Sequence, residues 1–494
     1  MKISVSNLIP QRYVLGLMGF FATFTNYTLM VVLNIAITQM VPALHTRGDP
    51  NTCATIKVNN TLLGQLEHKK ETYDWNESTK GIILSAYFWG YIFTHIPGGM
   101  LAERFGGKHT LLIGILVASV ITFITPWLTV TSNGDWKVVT ALRFLIGFSQ
   151  GPSHPAINSL LSKWVPLSER AKLGTLVFSG SLIGTILTNL VSGALIKATG
   201  NWSSCFYFFG SGGVIWCILW QLLCYSEPST HPFITEKELE YLKTKIDSVA
   251  KKRQPTPWKA IWTSPPIWAL VAAQLGHDWG FFTLLTDLPT YMSDVLKFSI
   301  VDNGIWNSIP YLVMWICSMF SGWLCDFLIT RKYLKISFAR KLFTIISSMG
   351  PSVFSMAASY SGCDKNLTVT MFTLAMAFKA TFYCGFKVNA LDLAPNYAGI
   401  VMAVVNGLGA IAGGIAPFLA GALTENHTLL EWRTVFWMTF GCYTITTIIY
   451  CIWGTAEIQP WNDPEKYKMM KKFSNTSSNF TNDDIQTTEK TENV

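Results

Sequence analysis

The sequence predicts an all-α integral membrane protein of twelve transmembrane helices in two six-helix bundles. Three observations lead there. Only 13% of the 494 residues are charged and 50% are hydrophobic, with mean hydropathy +0.32. A water-soluble domain carries about a quarter charged residues, so much of this surface faces something other than water. Twelve apolar stretches follow one another, nearly all reaching the roughly 20 residues that cross a bilayer core. They divide six and six around one polar interval.

In chain order the spans are Tyr13–Val41, Gly81–Ala102, Leu111–Val130, Val138–Leu161, Leu173–Ile196 and Phe206–Tyr225, then Ile267–Met292, Trp306–Leu324, Leu342–Tyr360, Leu367–Leu391, Ile400–Leu423 and Val435–Trp453. The first is about twice the length of a signal-peptide core and is expected to stay uncleaved. Residues 1–225 make an N-terminal bundle with a glycosylatable loop at 44–78. Residues 226–266 form a cytosolic linker whose "ITEKELEYLKTKIDSVAKKR" reads as a short charged helix. Residues 267–455 make the C-terminal bundle, and the Ser/Thr/Asn-rich tail 456–494 is expected to be a disordered cytosolic segment.

Basic residues cluster at the even-numbered junctions and the centre: Arg104 and Lys108; Lys163, Arg170 and Lys172; Lys251, Lys252 and Arg253; Arg331, Lys332, Lys335, Arg340 and Lys341. The odd junctions mostly carry single lysines. The positive-inside rule then places both termini in the cytosol, and the net charge of +8 is a topology signal rather than a nucleic-acid surface. The sequons at Asn59, Asn76, Asn201, Asn366 and Asn426 fall on the opposite side; Asn59 and Asn76, in the long first loop, are the best acceptors. Ten cysteines show no metal spacing, and a bond between Cys53 and Cys363 is not expected, because it would tie the two halves together. No metal, cofactor or enzymatic nucleophile–base constellation is expected, and a monomer is.

The two halves echo each other. "GGMLAERFGGK" follows the second span and "SGWLCDFLITRK" the eighth, each with Gly four residues before an acid: Gly99 with Glu103 and then Arg104, Gly322 with Asp326. Repeats of this kind arise when two bundles are related by an axis along the membrane normal. Small residues let helices approach, and an acid near basic residues at a helix end can form an ion pair that breaks when bundles rock. These five residues are therefore gating candidates. The loop resembles the signature of the major facilitator superfamily. "FWGYIFTHIPGGMLAERFGGK", "KWVPLSERAKLGT", "NWSSCFYFFGSGGVIW", "GFFTLLTDLPTYM" and "NALDLAPNYAGIVMAVVNGLGAIAGGIAPFLAG" are similar to its anion/cation symporter family, over roughly Tyr13 to Glu457. That family comprises sialin, the vesicular glutamate transporters and the sodium-dependent phosphate cotransporters; the likeness is nearest to the inorganic phosphate cotransporter group. The resemblance implies the major facilitator fold, a small anionic substrate, and a coupling Na⁺ or H⁺.

Ionisable groups within spans are costly and usually face a cavity, so they are the candidate site. In "LRFLIGFSQGPSHPA", Gln150 and His154 lie within about 20° of Arg143 on one helical face, with Gly147 and Gly151 flanking it. Arg143 has the planar fork that grips carboxylate or phosphate, and the family places a substrate-relevant Arg there; the competing reading is snorkelling. His277 of "AQLGHDWGFFTLLTDLP" stands where some relatives carry Arg and is either a substrate or coupling residue or a buried, hydrogen-bonded histidine. Asp278 beside it projects about 100° away. Met30 replaces a family Arg, Leu84 a family His, and Gln150 the acid linked to proton coupling in sialin-like members. These departures favour Na⁺ over H⁺. At Lys379 and Lys387 of "AMAFKATFYCGFKVNALDLAP" the family usually has small residues, so the resemblance marks both lysines as departures. Lys387 is expected to snorkel to the cytosolic edge, and Lys379 to face the anion path. The leading expectation is a secondary active transporter of inorganic phosphate or small organic anions, in the plasma membrane. The alternatives are an uncoupled channel or facilitator, and a transporter-shaped receptor.

Overall fold

The computed structural model describes residues 10–41, 72–247, 256–425 and 428–463, and its regular elements are helices throughout. Among the described residues nine helices are long and apolar enough to cross a membrane. The remaining three expected spans differ for reasons visible in their sequence. The second, Glu77–Phe105, and the seventh, Pro265–Asp294, are 29 and 30 residues long but interrupt their apolar surface with Lys80 and His95, and with Gln274, His277, Asp278 and Asp287. The fourth breaks into Trp136–Gln150 and Ser153–Trp164 at Gly151–Pro152, where proline has no amide to continue the ladder.

The tenth and eleventh spans are also broken. The tenth runs as Lys365–Lys379, a 3₁₀ turn Ala380–Tyr383, and then Phe386–Leu393. The eleventh divides into Ala398–Gly409 and Ile411–Leu423. Discontinuous helices occur at membrane depth where the freed backbone groups line a cavity or meet polar side chains. Spans four and ten occupy matching places in the two halves.

Glycine sets the closest contacts. A Cβ at Gly147 would collide with the Tyr87 carbonyl, and one at Gly90 with the Phe144 carbonyl, so spans two and four meet backbone to backbone. The halves also touch at the predicted outer end. Gly81 faces Pro417 and Gly421, Gly193 faces Gly304, and the Asn34 amide donates to the Leu285 carbonyl at 2.9 Å. There Lys80 pairs with Glu77 one turn before it and lies 3.7 Å from Asp294 of the seventh span. At the opposite end, the linker helix Glu236–Asp247 docks on the first bundle. Glu238 accepts from the backbone N–H of Gln11 at 2.8 Å and from Arg12 Nη1 at 3.2 Å, placing a carboxylate at the N-terminus of the first span. Arg12 also reaches Glu169 at 2.9 Å.

Several gating expectations need correction. A Cβ on Gly99 would meet Pro155 only at an ordinary 3.6 Å; the close approach belongs to Gly98, against Pro152. Gly322 has no neighbour within 4 Å of its would-be Cβ. Arg104 and Asp326 are exposed and make no ion pair among the described residues. The Glu103 side chain lies outside the described residues. The ion pair at this end of the second bundle is instead Arg340 Nε to Asp392 at 2.7 Å, with Arg340 Nη1 also donating to the Cys384 carbonyl at 2.8 Å. Cys363 is disulfide-bonded, against expectation, to a partner outside the described residues; Cys53 lies outside them too. So do Asn59 and the tail from residue 464 onward. Asn76 is exposed and caps the second span, its Oδ1 accepting from the Thr79 amide at 2.8 Å.

Candidate functional site

The fourth span presents its polar face inward. Arg143 is 3% exposed, which removes the snorkelling alternative. Its Nη1 donates to the Met30 carbonyl at 3.0 Å, and the guanidinium lies over the Tyr87 ring at 5.2 Å. The backbone oxygen of Met30 thus orients the guanidinium. Seven residues on, Gln150 is 1% exposed and its Oε1 accepts from the Tyr87 hydroxyl at 2.7 Å. Arg143 Nε and Gln150 Nε2 are buried donors with no hydrogen-bond partner among the described residues. Buried donors are normally satisfied, so two on one face point to acceptors that arrive with a ligand. The His154 Nδ1 lies 3.2 Å from the Tyr91 hydroxyl, and its ring stacks on Phe178. The three residues whose spacing put them on one face do share it, across the Gly151–Pro152 break.

The tenth span supplies two further inward-turned cations. Lys379 is fully buried, at the last turn of its half-helix, where the carbonyl ends favour positive charge. Its ammonium donates to the His277 carbonyl at 2.9 Å and the Tyr443 hydroxyl at 2.6 Å, with the Phe281 ring at 5.8 Å. Lys387 does not snorkel: it turns inward and donates to Asn406 Oδ1 at 2.7 Å and Gln274 Oε1 at 3.2 Å. The reason is the break between the two lysines. The 3₁₀ turn and Gly385 re-aim the second half-helix, so projection along one straight helix fails. Neither lysine has a carboxylate at ion-pair distance among the described residues.

His277 lies in an aromatic nest, its ring 4.0 Å from Phe382 and 5.6 Å from Phe386 between centroids. Its Nδ1 has no partner among the described residues; its backbone oxygen is what holds Lys379. The adjacent Asp278 accepts from Gln274 Nε2 at 2.7 Å. Gln274 thereby bridges Asp278 to Lys387. That network, and the Lys80–Asp294 contact, went unread in the sequence. Lys80 and Asp294 each fall just outside an apolar window. Gln274 lies one turn before Asp278 on the same helix, but Gly409 and Lys387, which complete the network, come from other spans.

Among the described residues no cluster of His, Cys, Asp and Glu could hold a metal ion. An apolar groove of about 850 Å³ lies between spans two, four and eleven, lined by Trp89, Trp136, Phe144, Leu145, Ile415 and Phe418 among others. It contains none of the candidate binding residues, and its lining suits lipid chains rather than an anion.

The Major Facilitator Superfamily model matches residues 15–417. Sialin of Ovis aries is 37% identical over 453 residues, covering 91% of this chain and 90% of that protein. The "Putative inorganic phosphate cotransporter" of Drosophila melanogaster is 35% identical over 460 residues, covering 92% and 87%. Vesicular glutamate transporter 2 of Homo sapiens is 32% identical over 466 residues, covering 93% and 76%. Among solved structures, a bacterial homologue of the human lysosomal transporter Spinster superposes with a TM-score of 0.65 at 13% identity, covering 89% of this chain and 96% of that one. That likeness shows the fold.

Proposed function

Because this chain belongs to the major facilitator superfamily, among relatives named for sialin, phosphate cotransport and vesicular glutamate transport, we propose that it is a secondary active transporter of inorganic phosphate or a small organic anion. One observation carries the reading. Arg143, Lys379 and Lys387 are held inside the membrane domain, on broken helices of the two bundles, without a carboxylate at ion-pair distance among the described residues. Uncompensated positive charge is expensive in hydrocarbon and is retained where it meets an anion. Arg143 Nε and Gln150 Nε2 offer further donors to the same ligand.

Transport proceeds by alternating access: the bundles rock about the site between spans four and ten. The contacts at the predicted outer end would hold it shut while the opposite end opens. Lys80 and Asp294 replace the loop residues Gly99, Glu103, Arg104, Gly322 and Asp326 as the leading gate. The plasma membrane, cytosolic termini and a glycan on Asn76 belong to this proposal. A downhill facilitator is the second reading, favoured by Gln150, an amide where proton coupling needs an acid. Purified protein in liposomes, offered labelled phosphate, urate, glutamate and sialate with and without sodium and pH gradients, separates the two. Concentrative uptake of one anion is the expected result. Uptake that stays downhill in every gradient would establish the facilitator, and no flux of any of the four would remove both.

A further inference from the structure

Gln150 on the fourth span is an amide and cannot take up or release a proton near neutral pH, so a protonic coupling group must be one of the buried acids. Among the described residues, five acids are buried: Glu77, Glu238, Asp278, Asp287 and Asp294. Glu238 caps the first span, and Glu77 and Asp294 belong to the lysine cluster at the outer end. Asp287 lies towards that same end, within electrostatic reach of Glu77. Asp278 alone sits beside the two unpaired lysines. It is tied to Lys387 through one amide: Gln274 donates to Asp278 Oδ1 at 2.7 Å and accepts from Lys387 at 3.2 Å.

The groups facing Asp278 come from both bundles. Lys379 and Lys387 of the tenth span and Tyr443 of the twelfth lie within its electrostatic reach, as do Tyr27 of the first span and Tyr91 of the second. Its other oxygen is close against Gly409, at the break of the eleventh span; a Cβ there would come within 2.6 Å. His95 and His154 of the first bundle lie within the electrostatic reach of Lys387. Asp278 therefore lies where the seventh, tenth and eleventh spans meet.

We propose that Asp278 is the coupling site of this transporter, binding one proton with each anion, and that Lys387 occupies the position a sodium ion would otherwise take. Two amide oxygens, Gln274 Oε1 and Asn406 Oδ1, converge on the Lys387 ammonium, which fills a cation position with a tethered charge. With Asp278 ionised, the two lysines and the aspartate sum to one positive charge. A proton entering from the open side adds to an Asp278 oxygen, removes its negative charge and leaves the lysines two positive charges for the anion. Linkage makes the effect mutual: a bound anion holds the proton on Asp278, and its departure lets the proton leave to water on the other side. No bond within the anion is made or broken. The proposal rests on the transport reading above and replaces sodium, the ion the family departures favour, with the proton.

The test uses the full chain in liposomes with a trapped pH-sensitive dye and labelled phosphate, urate, glutamate or sialate. Wild type should accumulate one of them under an inward proton gradient, carry protons in with it, and be indifferent to replacing sodium with choline. Asp278→Asn should lower gradient-driven accumulation at least ten-fold and abolish the anion-dependent pH change, while exchange of internal for external anion persists. Asp278→Glu should restore part of the coupling. Accumulation that follows sodium rather than pH would overturn the proposal. So would an Asp278→Asn protein that still accumulates on a proton gradient, or one that loses exchange together with accumulation. If wild type carries none of the four anions, the transport reading itself falls.

Discussion

Replacing Asp294 with Asn removes the charge that Lys80 meets across the two bundles while keeping the side chain's size. The pair is 3.7 Å apart and both side chains are 6% exposed, so solvent screens it little. At that spacing two unit charges attract by about 4 kcal/mol at an effective dielectric near 20. Desolvation offsets part of this, and Lys80 retains Glu77 as a partner in the same helix. A net contribution of about 1–2 kcal/mol to the outer-closed arrangement remains, which is a factor of roughly 5–30 in its population. Spin labels at Lys137→Cys and Asn366→Cys, both exposed and on opposite bundles, would report the separation of the outer ends. Asp294→Asn should enlarge the separated population by that factor. Lys80→Met should do the same, and the double variant should do no more than either single one. An unchanged distance distribution in both single variants would refute the idea that this contact holds the end shut.

Gly147→Ala should reduce the yield of folded protein sharply, since its Cβ would strike the Tyr87 carbonyl, whereas Gly322→Ala should be tolerated; size-exclusion profiles from detergent-solubilised membranes compare them. Arg340→Ala should cost about 3–5 kcal/mol by stranding Asp392 half-buried, and Arg340→Ala with Asp392→Ala should recover much of the loss, read as melting temperatures in one detergent. Equal melting temperatures for the single and double variants would show that the pair does not act as a unit.

Much of the architecture was legible because hydrocarbon demands long apolar helices and basic residues mark their ends. The Arg143, Gln150 and His154 face was legible for a related reason: on either side of the Gly151–Pro152 break the helical projection still brings these side chains onto the second span, at Tyr87 and Tyr91. The same reasoning failed at Lys387. Four residues of 3₁₀ turn and Gly385 separate it from Lys379, and nothing in the apolar pattern marks that change of pitch. The loop signature points to Gly99, the glycine nearest the acid, while the helix phase turns Gly98 onto Pro152. The role of Met30 could not be read at all, because it is the backbone oxygen that acts, and every residue has one. Lys80 with Asp294, and Gln274 with Lys387, depend on which spans are neighbours. Composition and period do not carry that information.

The central claim is that a buried, unpaired ammonium at Lys379 is kept for an anion at the expense of stability. Equilibrium binding of the transported anion to purified wild type and Lys379→Met, with melting temperatures taken on the same samples, tests it most directly. The account predicts at least ten-fold weaker binding in Lys379→Met together with an equal or higher melting temperature, because methionine removes the desolvation cost of a fully buried charge. Undiminished affinity with a lowered melting temperature would make Lys379 a structural hydrogen-bond donor to His277 and Tyr443, and would contradict the account.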